Sequence, residues 1–259
     1  MSWMGEDREN ASRACRACIN KMKKTESTKL NNSYVSVNGS FGGNQSWFEK
    51  IEDKKHGETI RDFGCGLIAV GDIILYVTDY KVLEGGKESL SDTTYRDFIL
   101  SIEKRFFHVL PKLGISGPLL AWGLNLYFFM HRKEIRKYTG NKYHARWFVR
   151  QKNLLKRIKE MLSNDIPVLF SIGPGFFAKT KVNLYDRTDE AGKLIFKPVN
   201  KTKDHYVMIT GVYEGEKTML EISSWGKRFY VSYDEYIRYV KRHDNFFFSN
   251  ILYIKKKKK

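Results

Sequence analysis

Cys65 lies between two glycines at the head of an apolar run, Asp62-Phe63-Gly64-Cys65-Gly66-Leu67-Ile68-Ala69-Val70. A thiol at a helix N-terminus gains thiolate character, because the peptide dipoles and free N–H groups there favour negative charge. Gly64 and Gly66 let a substrate carbonyl approach the backbone, and the Cys65 N–H is placed to hold an oxyanion. Far downstream, His205 opens the strand-like run His205-Tyr206-Val207-Met208-Ile209-Thr210-Gly211. A histidine on a rigid strand is the proton acceptor that such a thiol requires. The other histidines (His56, His108, His131, His144, His243) fall in loops or charged segments and are read as structural. Gln45, in the glycine-aromatic loop before Cys65, carries an amide that can donate a second hydrogen bond to an oxyanion. In Ser223-Ser224-Trp225-Gly226, either serine hydroxyl can orient the imidazole, with Trp225 covering the pair from water. Asp204 and Glu221 are alternative orienters. The plainer readings are a small buried cysteine at a helix start and a Ser-Trp-Gly turn between two strands.

The elements that must hold these groups follow from periodicity. Residues 65–79 read as a helix that is apolar nearly all round, hence central and buried. Asp92 can cap a second helix whose apolar stripe is Tyr95, Phe98, Ile99, Ile102 and Phe106. A third begins near Leu119. The apolar stretch 115–130 contains Pro118, Gly123 and Asn125 and is shorter than a bilayer span. It reads as a buried helix, with a lipid contact as the alternative. Residues 146–162 read as an amphipathic basic helix. Beyond Asn164 the period changes to that of strands: 166–172, 206–213, 217–223, 228–233 and 247–254, with a short helix at 235–241 capped by Asp234. Residues 34–37 suggest a short strand, and 176–204 a long loop with a strand at 193–196. The expected fold class is α+β. A loose arm (1–33) precedes a helical lobe (34–164) and an antiparallel sheet lobe (165–254), and 255–259 form a solvated lysine tail.

The 259 residues suffice for one large domain or two lobes around a cleft. Lys and Arg total 46 against 29 Asp and Glu, a net charge of +17. Eleven Lys and Arg against two Glu fall within 131–160. This balance favours anionic partners without choosing among them. The three cysteines, Cys15, Cys18 and Cys65, do not read as a disulfide framework, and the N-terminus lacks an apolar signal core. The expectation is a cytoplasmic protein. Cys15-x-x-Cys18 has no second pair, so no metal is expected, and no cofactor motif is found.

The order Gln45, Gly64-Cys65-Gly66, His205-Tyr206-Val207-x-Ile209-x-Gly211, Ser224-Trp225-Gly226 resembles that of papain-like cysteine peptidases. It is most similar to the bacterial branch that includes the double-glycine leader peptidases of bacteriocin exporters, and in detail to Gram-positive members of that branch. The segments around Gln45, Cys65, His205 and Trp225 carry the resemblance, within residues 39–254. It implies Cys65 as nucleophile, His205 as base, Gln45 as oxyanion donor and a cleft between the two lobes. The pattern departs from the family at two points. Ser223 stands where Asn or Asp is usual, and Gln45 is twenty positions before Cys65, farther than in papain.

The expected function is therefore cleavage of a peptide or amide bond in a peptide or protein substrate. Two other readings stand beside it. One is a catalytically silent binding protein on the same scaffold. The other is a basic module for an anionic partner at 146–162, nucleic acid among them.

Overall fold

A computed structural model describes residues 26–174, 180–190 and 193–258. In chain order the elements are β1 (Glu26–Lys29), α1 (Lys54–Phe63), α2 (Cys65–Val77), α3 (Asp92–Phe106), α4 (Gly117–Met130) and α5 (Arg132–Thr139). There follow β2 (Asn141–Trp147), α6 (Leu154–Ser163), β3 (Val168–Ile172), β4 (Val182–Glu190), β5 (Lys193–Thr202) and β6 (His205–Glu214). The chain closes with β7 (Thr218–Ser224), β8 (Lys227–Ser232), α7 (Tyr233–His243) and β9 (Ile251–Lys258). The fold is α+β: helices packed on one large antiparallel sheet.

The sheet order is β2-β9-β3-β6-β7-β8-β4-β5. On β6, β3 pairs with His205–Ile209 and β1 with Gly211–Glu214, so the two share one edge of that strand. β6 is thus enclosed along its length, and Val207 to Tyr213 are all buried, as a central strand requires. Against β6 and β3 packs α2, which is also gripped by α3 and α4. Every residue from Gly66 to Val77 is buried, as expected for a helix without a polar face. Each Leu or Ile so buried contributes about 1.5–3 kcal/mol. Gly71 permits the close approach: a Cβ there would lie 2.1 Å from Ile99 Cδ1 of α3.

Several expectations are corrected. The arm expected through residue 33 ends in strand β1, while residues 34–37 form no strand, although Val35 and Val37 are buried. Ser91 and Ser232, rather than Asp92 and Asp234, cap α3 and α7; both acids lie in the first turn, where they oppose the helix dipole. The basic segment 146–162 is not one helix. Its start belongs to β2, where Lys142, His144 and Arg146 are exposed while Tyr143, Ala145 and Trp147 turn inward. That period of two is a strand signature. The expected loop at 176–204 holds the β4–β5 hairpin, whose register shifts beside Leu184 and Tyr185. Pro198 is tolerated because β5 is an edge strand. The lysine tail is not solvated coil; it extends β9, pairing with β2 through Lys258. Cys15 and Cys18 lie outside the described residues. Among the described residues no helix is long and apolar enough to cross a membrane.

Candidate active site

Cys65 is the first residue of α2. Gly64 ends α1 and begins α2, and no side chain caps the new helix. A Cβ at Gly64 would lie 2.4 Å from the Ile60 carbonyl, so only glycine permits this junction. The free N–H groups of the first turn therefore surround the sulfur rather than a capping oxygen. Gly66 faces Leu120 of α4 and Tyr206 of β6, where a Cβ would come within 3.0 and 3.2 Å of their side chains.

Cys65 and His205 line one narrow open cleft, together with Gln45, Asp72, Ser224 and Trp225. The backbone N–H groups of Tyr206, the residue after His205, and of Gly66 and Cys65 act electrostatically on the sulfur. Burial pushes the thiol up from its ordinary value, against those N–H groups, which pull it down. The thiolate character expected from the helix start is thus outweighed by desolvation.

The His205 ring is buried and stacks on Trp225, with centroids 4.5 Å apart and planes 12° from parallel. Its Nε2 lies 2.7 Å from Ser224 Oγ. Burial lowers the imidazole to about 4, with no opposing charge to raise it. Sequence left the orienter open between two serines. Ser224 is the one on the ring, whereas Ser223 donates to the Phe41 carbonyl at 2.6 Å. Of the acidic alternatives, Asp204 pairs with Lys203, and Glu221 accepts from Thr210, Tyr213 and Tyr230. Neither acid is on the ring.

Trp225 and Gly226 both have positive φ, +51° and +72°. They are the central residues of a two-residue turn between β7 and β8, of the kind that matches strand twist. A tryptophan in this region stores about 1 kcal/mol or more of backbone strain, which the imidazole stack offsets in part.

Gln45 opens a 3₁₀ turn (Gln45–Lys50) whose N-cap, Asn44, accepts from Ser46 N–H. Its Nε2 donates one proton to the Arg61 carbonyl at 2.5 Å, which leaves the second amide proton for the cleft. The loop before it is clamped from both sides. Phe41 N–H donates to the Gly226 carbonyl, and Gly43 N–H donates to the Asp72 carboxylate. Gly42 has φ +84°, and a Cβ there would lie 2.3 Å from Ser223 Oγ and 2.9 Å from Asp72 Oδ2.

Asp72 is the polar group that sequence reasoning missed. It is 1% exposed and also accepts from Tyr34 (2.9 Å) and Tyr95 (2.7 Å) hydroxyls. Burial raises it to about 6, against the hydrogen bonds from Tyr95, Gly43 and Tyr34. A signal was present in the chain. Asp72 interrupts an otherwise apolar helix seven residues after Cys65, two turns along the same face. Among the described residues no cluster of three or more His, Cys, Asp or Glu is arranged to hold a metal. No protein-family model, no curated protein and no solved structure matches the chain.

Proposed function

We propose that this protein is a thiol hydrolase of papain-like type that cleaves a peptide or amide bond in a peptide or protein substrate. The observation that carries the reading is that Cys65, from the start of α2, and His205, from the start of β6, line one cleft. Ser224 occupies Nε2, which leaves Nδ1 as the nitrogen for the thiol proton. For Nδ1 to accept, Nε2 must carry the hydrogen and donate it to Ser224 Oγ.

The step is then ordinary acyl transfer. Cys65 Sγ attacks the carbonyl carbon as its proton passes to His205 Nδ1, and the oxyanion is held by the Cys65 N–H and the free proton of Gln45 Nε2. The imidazolium returns the proton to the leaving amine as the C–N bond breaks. Water, deprotonated by the same nitrogen, hydrolyses the thioester. The raised thiol and the lowered imidazole make the resting pair neutral, so proton transfer accompanies attack rather than preceding it.

That neutral pair also favours a second reading, in which the cleft binds a peptide without cutting it. The two are separated by an electrophilic thiol probe aimed at cysteine hydrolases. Under the hydrolase reading wild type labels, while Cys65→Ala and His205→Ala do not. Equal labelling of the His205→Ala protein would remove the pairing and leave the binding reading.

A further inference from the structure

α4 has no charged residue, and much of its surface is not buried. Leu119, Trp122, Phe129 and Met130 are 52%, 63%, 64% and 55% exposed. Their spacing places them, with half-buried Leu126, on a single stripe about 100° wide. α5 follows at once. It turns Ile135 inward and exposes Arg132, Lys133, Arg136 and Lys137, with Glu134 as its one exposed carboxylate. The Arg132 guanidinium lies over the Phe129 ring at 4.8 Å, so the apolar crest and the cationic rim are one surface. A groove continues it, lined by Phe129, Arg132, Arg136, Lys142 and His144 and by no carboxylate. Across the β2–β9 ladder Lys142 faces Lys257, and His144 faces Lys255, which extends the positive field.

We propose that this face docks on an anionic lipid bilayer. The α4 stripe enters the interface, and the cations of α5 and β2 meet the lipid phosphates. An apolar stripe bordered by Lys and Arg is what a helix lying in that interface presents. The charge argues against the other occupants. A second copy would bring a like field against this one, at +17 per chain. A nucleic acid would match the rim but would leave the aliphatic crest of Leu119 and Met130 without a partner, since bases stack on aromatic rings. α4 is too short to span a bilayer, so docking is peripheral. The inference does not depend on the hydrolase reading, although the inner side of the same helix packs through Leu120 near Gly66, beside Cys65.

The test is flotation of the full chain with phosphatidylcholine vesicles, with and without phosphatidylglycerol. Wild type is expected to float only with the anionic vesicles, and less at high salt. Trp122→Ser with Phe129→Ser, both exposed and so tolerated by the fold, should weaken partitioning about tenfold or more. Replacing Arg132, Lys133, Arg136 and Lys137 with Gln should cost roughly fivefold per charge. Failure to float with anionic vesicles overturns the proposal. So does wild-type flotation of the Trp122/Phe129 variant combined with release by an RNA oligonucleotide, which would assign the face to polyanions. A lipid-free dimer that the same variant dissociates would assign the face to a second copy and overturn it as well.

Discussion

Asp72 and Glu221 are both buried carboxylates held by tyrosine hydroxyls, but their surroundings differ. Glu221, on β7, accepts from Thr210, Tyr213 and Tyr230 and has Arg228 Nε at 3.9 Å. Arg187 donates to the Tyr213 hydroxyl and lies over the Tyr213 and Tyr230 rings. Asp72 accepts from Tyr34, Tyr95 and the Gly43 N–H, with no cation in contact among the described residues, and it lines the cleft. The first arrangement is a compensated network that fixes sheet geometry. The second leaves a buried carboxylate without a cation on the wall of the cleft that Cys65 also lines, and it pins the loop that carries Gln45. Perturbed groups of that second kind are the ones that gather at functional sites.

The largest effect should separate chemistry from scaffold. His205→Ala is expected to cut thiol-probe labelling of the folded fraction by roughly 10²–10⁴-fold. Glu221→Ala should act on stability instead. It leaves three hydroxyls without their acceptor, costs about 3 kcal/mol in denaturant titration, and leaves labelling of the folded fraction unchanged. A Glu221→Ala protein that is stable yet unlabelled would break the contrast.

Next comes a pH effect of opposite sign at the two cleft groups. Asp72 is raised from 3.8 to about 6. Its contribution to stability is therefore full below the unfolded value and is lost as pH rises through 6, by about 3 kcal/mol at most. His205 is lowered from 6.5 to about 4, so its contribution is present above 6.5 and is lost as pH falls through 4, by a similar amount. In wild type the two slopes oppose each other between pH 6 and 4. Asp72→Asn should expose the histidine slope, with stability falling on acidification. His205→Gln should expose the aspartate slope, with stability rising. Urea midpoints across that window check this, and parallel curves for the two variants would refute it.

The thiol offers a smaller and finer test. Burial holds Cys65 above its ordinary 9.0, so the rate of alkylation by iodoacetamide should still be climbing beyond that pH, without a neutral plateau. A plateau near neutrality would reveal a preformed thiolate–imidazolium pair. The smallest expected difference is between the adjacent serines. Ser224→Ala frees the His205 ring and should slow labelling about tenfold. Ser223→Ala only releases the Phe41 carbonyl, costing about 1 kcal/mol of stability with labelling nearly unchanged.

The groups that line the cleft were legible in the sequence by residue type and order: Cys65 between glycines, His205 at a strand start, Gln45 in its loop, and the Ser-Ser-Trp-Gly turn. The central helix and most strands of the second half were legible too, because their periodicity is strong. What escaped depends on pairing across distance. β2 was merged with α6 because a strand and a helix of similar basic composition adjoin. The β4–β5 hairpin is largely polar, so it carries little apolar alternation. The lysine run becomes a strand only because β2 is there to receive it. Asp72 was passed over inside an apolar run, although its burial and its three donors make it the polar hub of the cleft floor.

The lysine-rich end of β9 has one more effect. β2 is an outer strand of the sheet, where an open ladder would invite another chain to extend it into a fibre, but Asn125 of α4 already donates to the Ala145 carbonyl and accepts from the Ala145 N–H, which plugs the middle of that edge. Lys142, His144 and Arg146 along its exposed side, with Lys255 and Lys257 opposite, repel any incoming copy of the same strand. The repulsion that weakens this local pairing thereby adds to the Asn125 plug in guarding the protein against polymerising through that border, and concentrated salt would lift only the charged part of the guard.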